Sequence, residues 1–238
     1  MATLVGIFFS KVTRGGFVRP VVAAAALLVL AVSVSVAGAA RSGDFRDEFT
    51  SFEVRQWVKI GRPFGHGTLD PANVTVADGL LGIRLPAGTL NGGEMRSTSL
   101  YRYGTYRTRM KIANAPSSLT AFFLYKRPDY AQEIDIEIFN DDTGRIMFST
   151  YSGFAQTNNV IVDLPIDLTT DFHVYTIEYD PGSVRFLLDG TQLQSWSSGV
   201  PRSSMYLFAN AWFPFWLAGE MPTTDRYTYV DWIEHIGR

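Results

Sequence analysis

From Asp44 onward the chain is built of short runs in which apolar and polar residues alternate, each closed by a turn residue. Alternation with a period of two marks a strand with one buried and one wet face. It predicts strands over Val74–Val76, Gly79–Leu85, Gly104–Ile112, Thr120–Tyr125, Glu133–Phe139, Arg145–Tyr151, His173–Tyr179, Val184–Leu188, Gln192–Trp196 and Met205–Ala211. Asp189-Gly190 predicts a tight hairpin, because both turn positions need positive φ. Gly79 and Pro181-Gly182 mark two further turns. No stretch carries the period of a long amphipathic helix, and no repeat or linker interrupts the pattern. Roughly a dozen strands in one domain, residues 44–238, predict an all-β fold of two antiparallel sheets packed face to face.

Within that pattern, Glu133-Ile134-Asp135-Ile136-Glu137 carries the candidate chemistry. Residues two apart in a strand share a face. Glu133, Asp135 and Glu137 therefore project together, while Ile134, Ile136 and Ile138 enter the core. Three adjacent carboxylates repel, and their mutual field raises the pKa of at least one. A carboxyl kept protonated beside an ionised neighbour is what glycosidic cleavage uses. The same alternation fits a solvated strand face, or a site for a hard cation such as calcium. Phe122, Phe123, Tyr125, Tyr130, Tyr151, Trp212, Phe213, Phe215 and Trp216 crowd the neighbouring runs. Aromatic faces in a cleft stack on sugar rings; aromatics in a core leave the same trace in sequence.

Composition narrows the classes. The 238 residues carry 21 basic and 23 acidic side chains, a net charge of −2, which gives no basic excess for nucleic acid. With 46% apolar and 14% aromatic residues the chain can build a packed core. The absence of cysteine removes disulfides, thiolate metal sites and thiol nucleophiles. At the N-terminus, Lys11, Arg14 and Arg19 precede an apolar stretch from Pro20 to Ala37, followed by small residues through Ala39. Residues 1–40 thus read as a secretory signal peptide cleaved near Ala39 or Ala40. An uncleaved membrane anchor is the alternative, since the stretch approaches the roughly 20 residues that span a bilayer. Either reading places residues 41–238 outside the cytoplasm, secreted or membrane-anchored.

Glu133–Glu137 resembles the signature of glycoside hydrolase family 16, and further stretches match that family in order. They are Gly92–Ser97, Tyr103–Met110, Ala121–Tyr125, His173–Tyr179, Leu188-Asp189-Gly190, Asn210-Ala211-Trp212 and Asp231-Trp232, together with Asp47-Glu48-Phe49 and Trp57. The resemblance implies a concanavalin A-like β-jelly roll with a cleft across its concave sheet. It implies a retaining endo-glycosidase for β-linked polysaccharide, with β-1,3-1,4- or β-1,3-glucan as the expected substrate. Glu133 would then be the nucleophile, Glu137 the acid/base, and Asp135 the group that tunes them. Spacing leaves the choice of pair open, because residues four apart lie about 13 Å apart at Cα, whereas a retaining pair needs carboxyls about 5–5.5 Å apart.

By the same resemblance, Glu94, Arg96, Phe123, Tyr151, Asn210 and Trp212 fall where lichenases contact sugar. Asp231 falls where relatives bind a structural calcium; no cofactor is expected for catalysis. A polysaccharide is the expected partner of a monomer, with no nucleic-acid or protein partner. The motif lacks the extra residue that many β-1,3-glucanases insert before the last Glu, as in the lichenase and xyloglucan transglycosylase branches. Ala131 stands where lichenases carry tryptophan, Ser149 where they carry asparagine, and a further asparagine is replaced near His66, which leaves the glucan subclass open. His173, in an alternating run, reads as structural. A transglycosylase on the same site and a non-catalytic carbohydrate-binding module are the competing functions.

Overall fold

The computed structural model describes residues 43–238, so the expected signal peptide or anchor lies outside the described residues. In chain order the first strands are β1 (Phe45–Asp47), β2 (Trp57–Lys59), β3 (Arg62–Phe64), β4 (Gly67–Leu69), β5 (Val74–Ala77), β6 (Leu80–Leu85), β7 (Gly93–Ser97) and β8 (Gly104–Lys111). Next come β9 (Leu119–Lys126), β10 (Gln132–Phe139), β11 (Arg145–Ser152), β12 (Ala155–Asp163), β13 (His173–Asp180), β14 (Ser183–Leu188), β15 (Thr191–Trp196), β16 (Tyr206–Trp212) and β17 (Arg226–Gly237). Among the described residues the one helical element is a single turn, Pro71–Asn73, capped by the Asp70 side chain accepting from Ala72 N.

Two antiparallel sheets account for all but β3 and β4, which form a separate hairpin. One sheet runs β12-β11-β10-β9-β16-β7-β2; the other runs β15-β14-β13-β8-β17-β6-β5, with β1 also on β17. Between them lies a core of fully buried side chains. Ile134, Ile136 and Ile138 of β10, Phe122 and Leu124 of β9 and Phe148 of β11 meet Tyr106, Tyr175, Ile177, Phe186 and Ile233 of the second sheet. Phe148 and Phe186 stack at 4.8 Å across the gap. Burying each such side chain contributes roughly 1.5–3 kcal/mol. Asp47 and Trp57 fasten the N-terminal strands, the indole Nε1 donating to Asp47 Oδ2 at 2.7 Å.

Every predicted strand is present, with no end shifted by more than one residue. The β14–β15 turn has φ of +48° at Asp189 and +79° at Gly190, the double positive φ that the dipeptide predicts. Seven strands carried no usable alternation. Of these, β12 is an edge strand whose side chains are nearly all exposed or half-exposed, so no apolar face marks it. In β17, Thr228 and His235 point into the core while Tyr227, Tyr229 and Trp232 point outward, and the register shifts between Val230 and Trp232. Polar residues inside, aromatics outside and a slip in phase together erase the two-residue period.

Candidate active site

Strand β10 sits in the middle of the seven-stranded sheet, bonded to β9 and β11 without a register shift. That unbroken pairing keeps Glu133, Asp135 and Glu137 on one face along its whole length. They line a cleft of about 600 Å³ on the outer face of the sheet. Its walls include Phe123, Tyr125, Met147, Tyr151, Asn210, Trp212 and Trp216. Gln156 and Ile161 of β12 stand at one side, Arg62 and Phe64 of β3 at the other. From β12 to β16 the sheet takes four steps, about 19 Å, enough for a chain of several sugars lying across the strands.

Antiparallel register lays the cleft out in rows. Glu137 is opposite Met147 on one side and Ala121 on the other, and Ala121 is opposite Asn210. Asp135 is flanked by Ser149 and Phe123, and Glu133 by Tyr151 and Tyr125. Glu137 thus has an apolar neighbour on each side, whereas Glu133 has a phenol on each side. Ser149, standing where lichenases have asparagine, accepts at Oγ from Asn159 Nδ2 of β12 at 3.1 Å. An asparagine amide thereby returns to this row from the next strand out.

All three carboxyls are held above the ordinary carboxylate range. Burial is the largest cause for each, and for Glu133 the charges of Glu137 and Asp129 add to it. Asp135, only 5% exposed, shares a side-chain hydrogen bond with Glu133. That bond favours a protonated Asp135 and an ionised Glu133. Protons on such a cluster come off as a group. Burial and the three carboxylates also keep the Tyr151 phenol neutral, and its hydroxyl oxygen accepts from Gln156 Nε2 at 2.9 Å.

A raised carboxyl pKa makes the folded protein bind more protons than the unfolded chain, so the contribution to stability falls as pH rises. It is fully present below about pH 4, the ordinary carboxylate value, and is lost through neutrality. Glu137→Gln therefore melts several degrees above the parent at pH 7.5. The gap closes toward pH 4, where both side chains are neutral; thermal melts across that range check it. A constant gap, or none at pH 7.5, would mean that Glu137 is not held protonated by the fold.

Of the six residues expected to contact sugar, Phe123, Tyr151, Asn210 and Trp212 line the cleft. Phe123 stacks on Phe208 at 4.8 Å and Trp212 packs on Phe64 at 4.2 Å. Glu94 and Arg96 do not line it. Glu94, in the same sheet row as Asn210, is 0% exposed under Arg62, accepting from Arg62 Nη2 at 3.2 Å and from Asn210 Nδ2 at 2.9 Å. Arg96 has its guanidinium over the Tyr206 ring at 4.2 Å and donates to Ser97 O at 2.7 Å. Of the aromatics flagged as sugar or core, Phe122 and Phe213 are core, Trp216 walls the cleft, and Phe215 is 74% exposed.

Arg62, Phe64 and Asp129 were missed because they sit on a short hairpin and a loop without alternation. His173 binds Asp189 through Nδ1 at 2.7 Å, away from the cleft. Asp231 lies on the other sheet, where Arg109 Nη1 donates to its Oδ2 at 2.6 Å. No group of three or more His, Cys, Asp or Glu able to hold a metal ion occurs among the described residues.

Residues 66–234 match glycosyl hydrolases family 16. A β-glucanase of Bacillus subtilis is 26% identical over 217 residues, covering 84% of this chain and 89% of its own. One from Acetivibrio thermocellus is 29% identical over 232 residues, 87% and 69% of the two chains. The solved Bacillus licheniformis β-glucanase superposes with a TM-score of 0.74 at 26% identity, over 82% of this chain and 99% of that one. A β-1,3-1,4-glucanase (lichenase) from a mouse hindgut metagenome superposes at 0.71 with 25% identity, over 82% and 99%. This chain shares the two-sheet jelly-roll sandwich of these enzymes. The chain is a glycoside hydrolase and belongs to glycosyl hydrolases family 16.

Proposed function

We propose that this protein is a secreted, retaining endo-β-glucanase acting on β-1,3-1,4-glucan. Three carboxyls on one strand face, in an aromatic-walled cleft open across the sheet, carry the reading. Glu133, ionised and bonded by protonated Asp135, attacks the anomeric carbon. Glu137, protonated between its apolar neighbours Met147 and Ala121, gives its proton to the departing glycosidic oxygen. A glycosyl ester on Glu133 results. Glu137, now a carboxylate, then takes a proton from water as the water oxygen attacks the anomeric carbon and Glu133 leaves. Two inversions give net retention. The linkage is supported by the lichenase similarity and by the unbulged β10.

The test incubates the full chain with lichenan, laminarin, xyloglucan, agarose and carrageenan. Product size is followed by chromatography, and the first anomer formed by proton NMR. The expected result is rapid shortening of lichenan with the β-anomer appearing first. A first-formed α-anomer would overturn the double displacement. Products longer than the substrate would make transfer to sugar the main reaction. Inactivity on every polysaccharide would leave a carbohydrate-binding module.

A further inference from the structure

Glu94 was expected to touch sugar, but its place is filled by another residue. Both of its oxygens are taken, one by Arg62 and one by Asn210. Burial raises its pKa, while the charge of Arg62 and the two hydrogen bonds act to keep the carboxylate. Above it, Arg62 lines the cleft with its side chain 35% exposed, so part of the guanidinium faces the space a substrate would fill. Asn210 lines the cleft too, and its Oδ1 is buried with no hydrogen-bond partner. One N–H of its amide goes to Glu94, and the unpaired Oδ1 is an acceptor a ligand can use. An unpaired buried acceptor costs about 1–3 kcal/mol, and a sugar hydroxyl in the cleft would satisfy it.

The hairpin that carries Arg62 is held tightly. Gly92 N donates to Thr68 O at 2.9 Å and His66 N to Phe213 O at 2.8 Å. At Gly65, with φ of +56°, a Cβ would lie 2.0 Å from Phe213 O, so only glycine permits this approach. The guanidinium also sits 4.2 Å over the Phe64 ring, and Phe64 packs on Trp212. Arg62 is therefore fixed by a buried anion below and an aromatic beside it.

We infer that Arg62 is a specificity-determining residue of this cleft. Held by Glu94, it donates to one hydroxyl of a bound sugar while Asn210 Oδ1 accepts from a neighbouring hydroxyl, with Trp212 under the ring. Glu94 acts through Arg62 and Asn210 and does not itself touch sugar. The pattern selects a neutral sugar with vicinal hydroxyls, because the Arg62 charge is already balanced by Glu94. This inference rests on the reading of the cleft as a β-glucan site.

The test compares the full chain with Arg62→Lys and with the neutral pair Arg62→Ala/Glu94→Gln. Arg62→Ala alone would strand a buried carboxylate and threaten the fold; the pair removes both charges. Affinity for a mixed-linkage β-glucan tetrasaccharide is measured by calorimetry in a Glu137→Gln background, and KM on lichenan in the active enzyme. The neutral pair is expected to fold, to bind at least tenfold more weakly and to raise KM by a similar factor. Arg62→Lys keeps a charge opposite Glu94, so its fold is not at stake. It weakens binding several-fold, because one ammonium cannot serve both the carboxylate and a sugar. Parental affinity and KM in Arg62→Lys and in the folded pair would overturn the inference while leaving the glucanase reading standing. A parent that cuts no β-glucan, but binds the tetrasaccharide and loses it with Arg62, would reverse that outcome. A parent that neither cuts β-glucan nor binds the tetrasaccharide would overturn both.

Discussion

Glu133→Ala and Glu137→Ala each cut lichenan at least about a thousandfold more slowly than the parent, with the fold intact. Both side chains reach into the cleft and carry none of the core. The two variants part company under rescue. Without the Glu133 carboxylate there is space beside the anomeric carbon, and an α-glycosyl fluoride mimics the missing intermediate. Glu133→Ala then joins that donor to an acceptor sugar and cannot hydrolyse the product. Glu137→Ala lacks the acid, so an aryl glycoside with a good leaving group still esterifies Glu133, while turnover waits for a nucleophile. Azide speeds that turnover and yields a β-azide, two inversions from the starting β-glycoside. Anomeric NMR of the products is the measurement. Near-parental activity on lichenan in either variant would remove that residue from the mechanism. Azide products of the same anomeric form in both variants would undo the division of labour.

Phe122→Ala and Phe123→Ala, one residue apart, are expected to fail in different ways. Phe122 is fully buried between the sheets, in the core that Ile134 and Ile136 also join. Phe-to-Ala truncation at such a site costs about 3–5 kcal/mol. For a domain of this size each kcal/mol is about 2–4 °C in Tm, so Phe122→Ala melts roughly 6–20 °C below the parent. Its KM at low temperature stays near the parental value, because nothing in the cleft has moved. Phe123 points the other way, into the cleft, against Phe208 and opposite Asp135. Its loss costs less Tm, since it packs in the small cluster with Ala121 and Phe208 and not in the main core, but raises KM several-fold. Melting curves and kinetics on lichenan decide it. A larger Tm loss for Phe123→Ala than for Phe122→Ala, with KM unchanged, would mean that the face assignment of β9 is inverted.

The same alternation that separates Phe122 from Phe123 made most of the sandwich legible. Ile134, Ile136 and Ile138 had to be buried once β10 was a strand, and the three acids then had to share the opposite face. The hairpin at Asp189-Gly190 was equally local, because positive φ at both positions is a property of those residue types. These are short-range consequences of backbone geometry, and the sequence by itself determined them. The family motifs reached further and placed Phe123, Tyr151, Asn210 and Trp212 along one cleft.

What only the tertiary structure decided depends on residues far apart in the chain. Whether an aromatic is wall or core could not be read from density alone; Phe213 and Trp216 are three apart, yet one is buried and the other walls the cleft. Strand β17 was invisible because its inward residues include Thr228 and His235, whose partners Ala113 N and Gly43 O come from distant segments. The family resemblance implies a sugar contact at Glu94, because a family position records where a residue sits, not what covers it. The covering group is Arg62, 32 residues away on a hairpin of its own. A carboxylate with 0% exposure must find its counter-charge inside the protein, and only the folded chain shows which cation answers it.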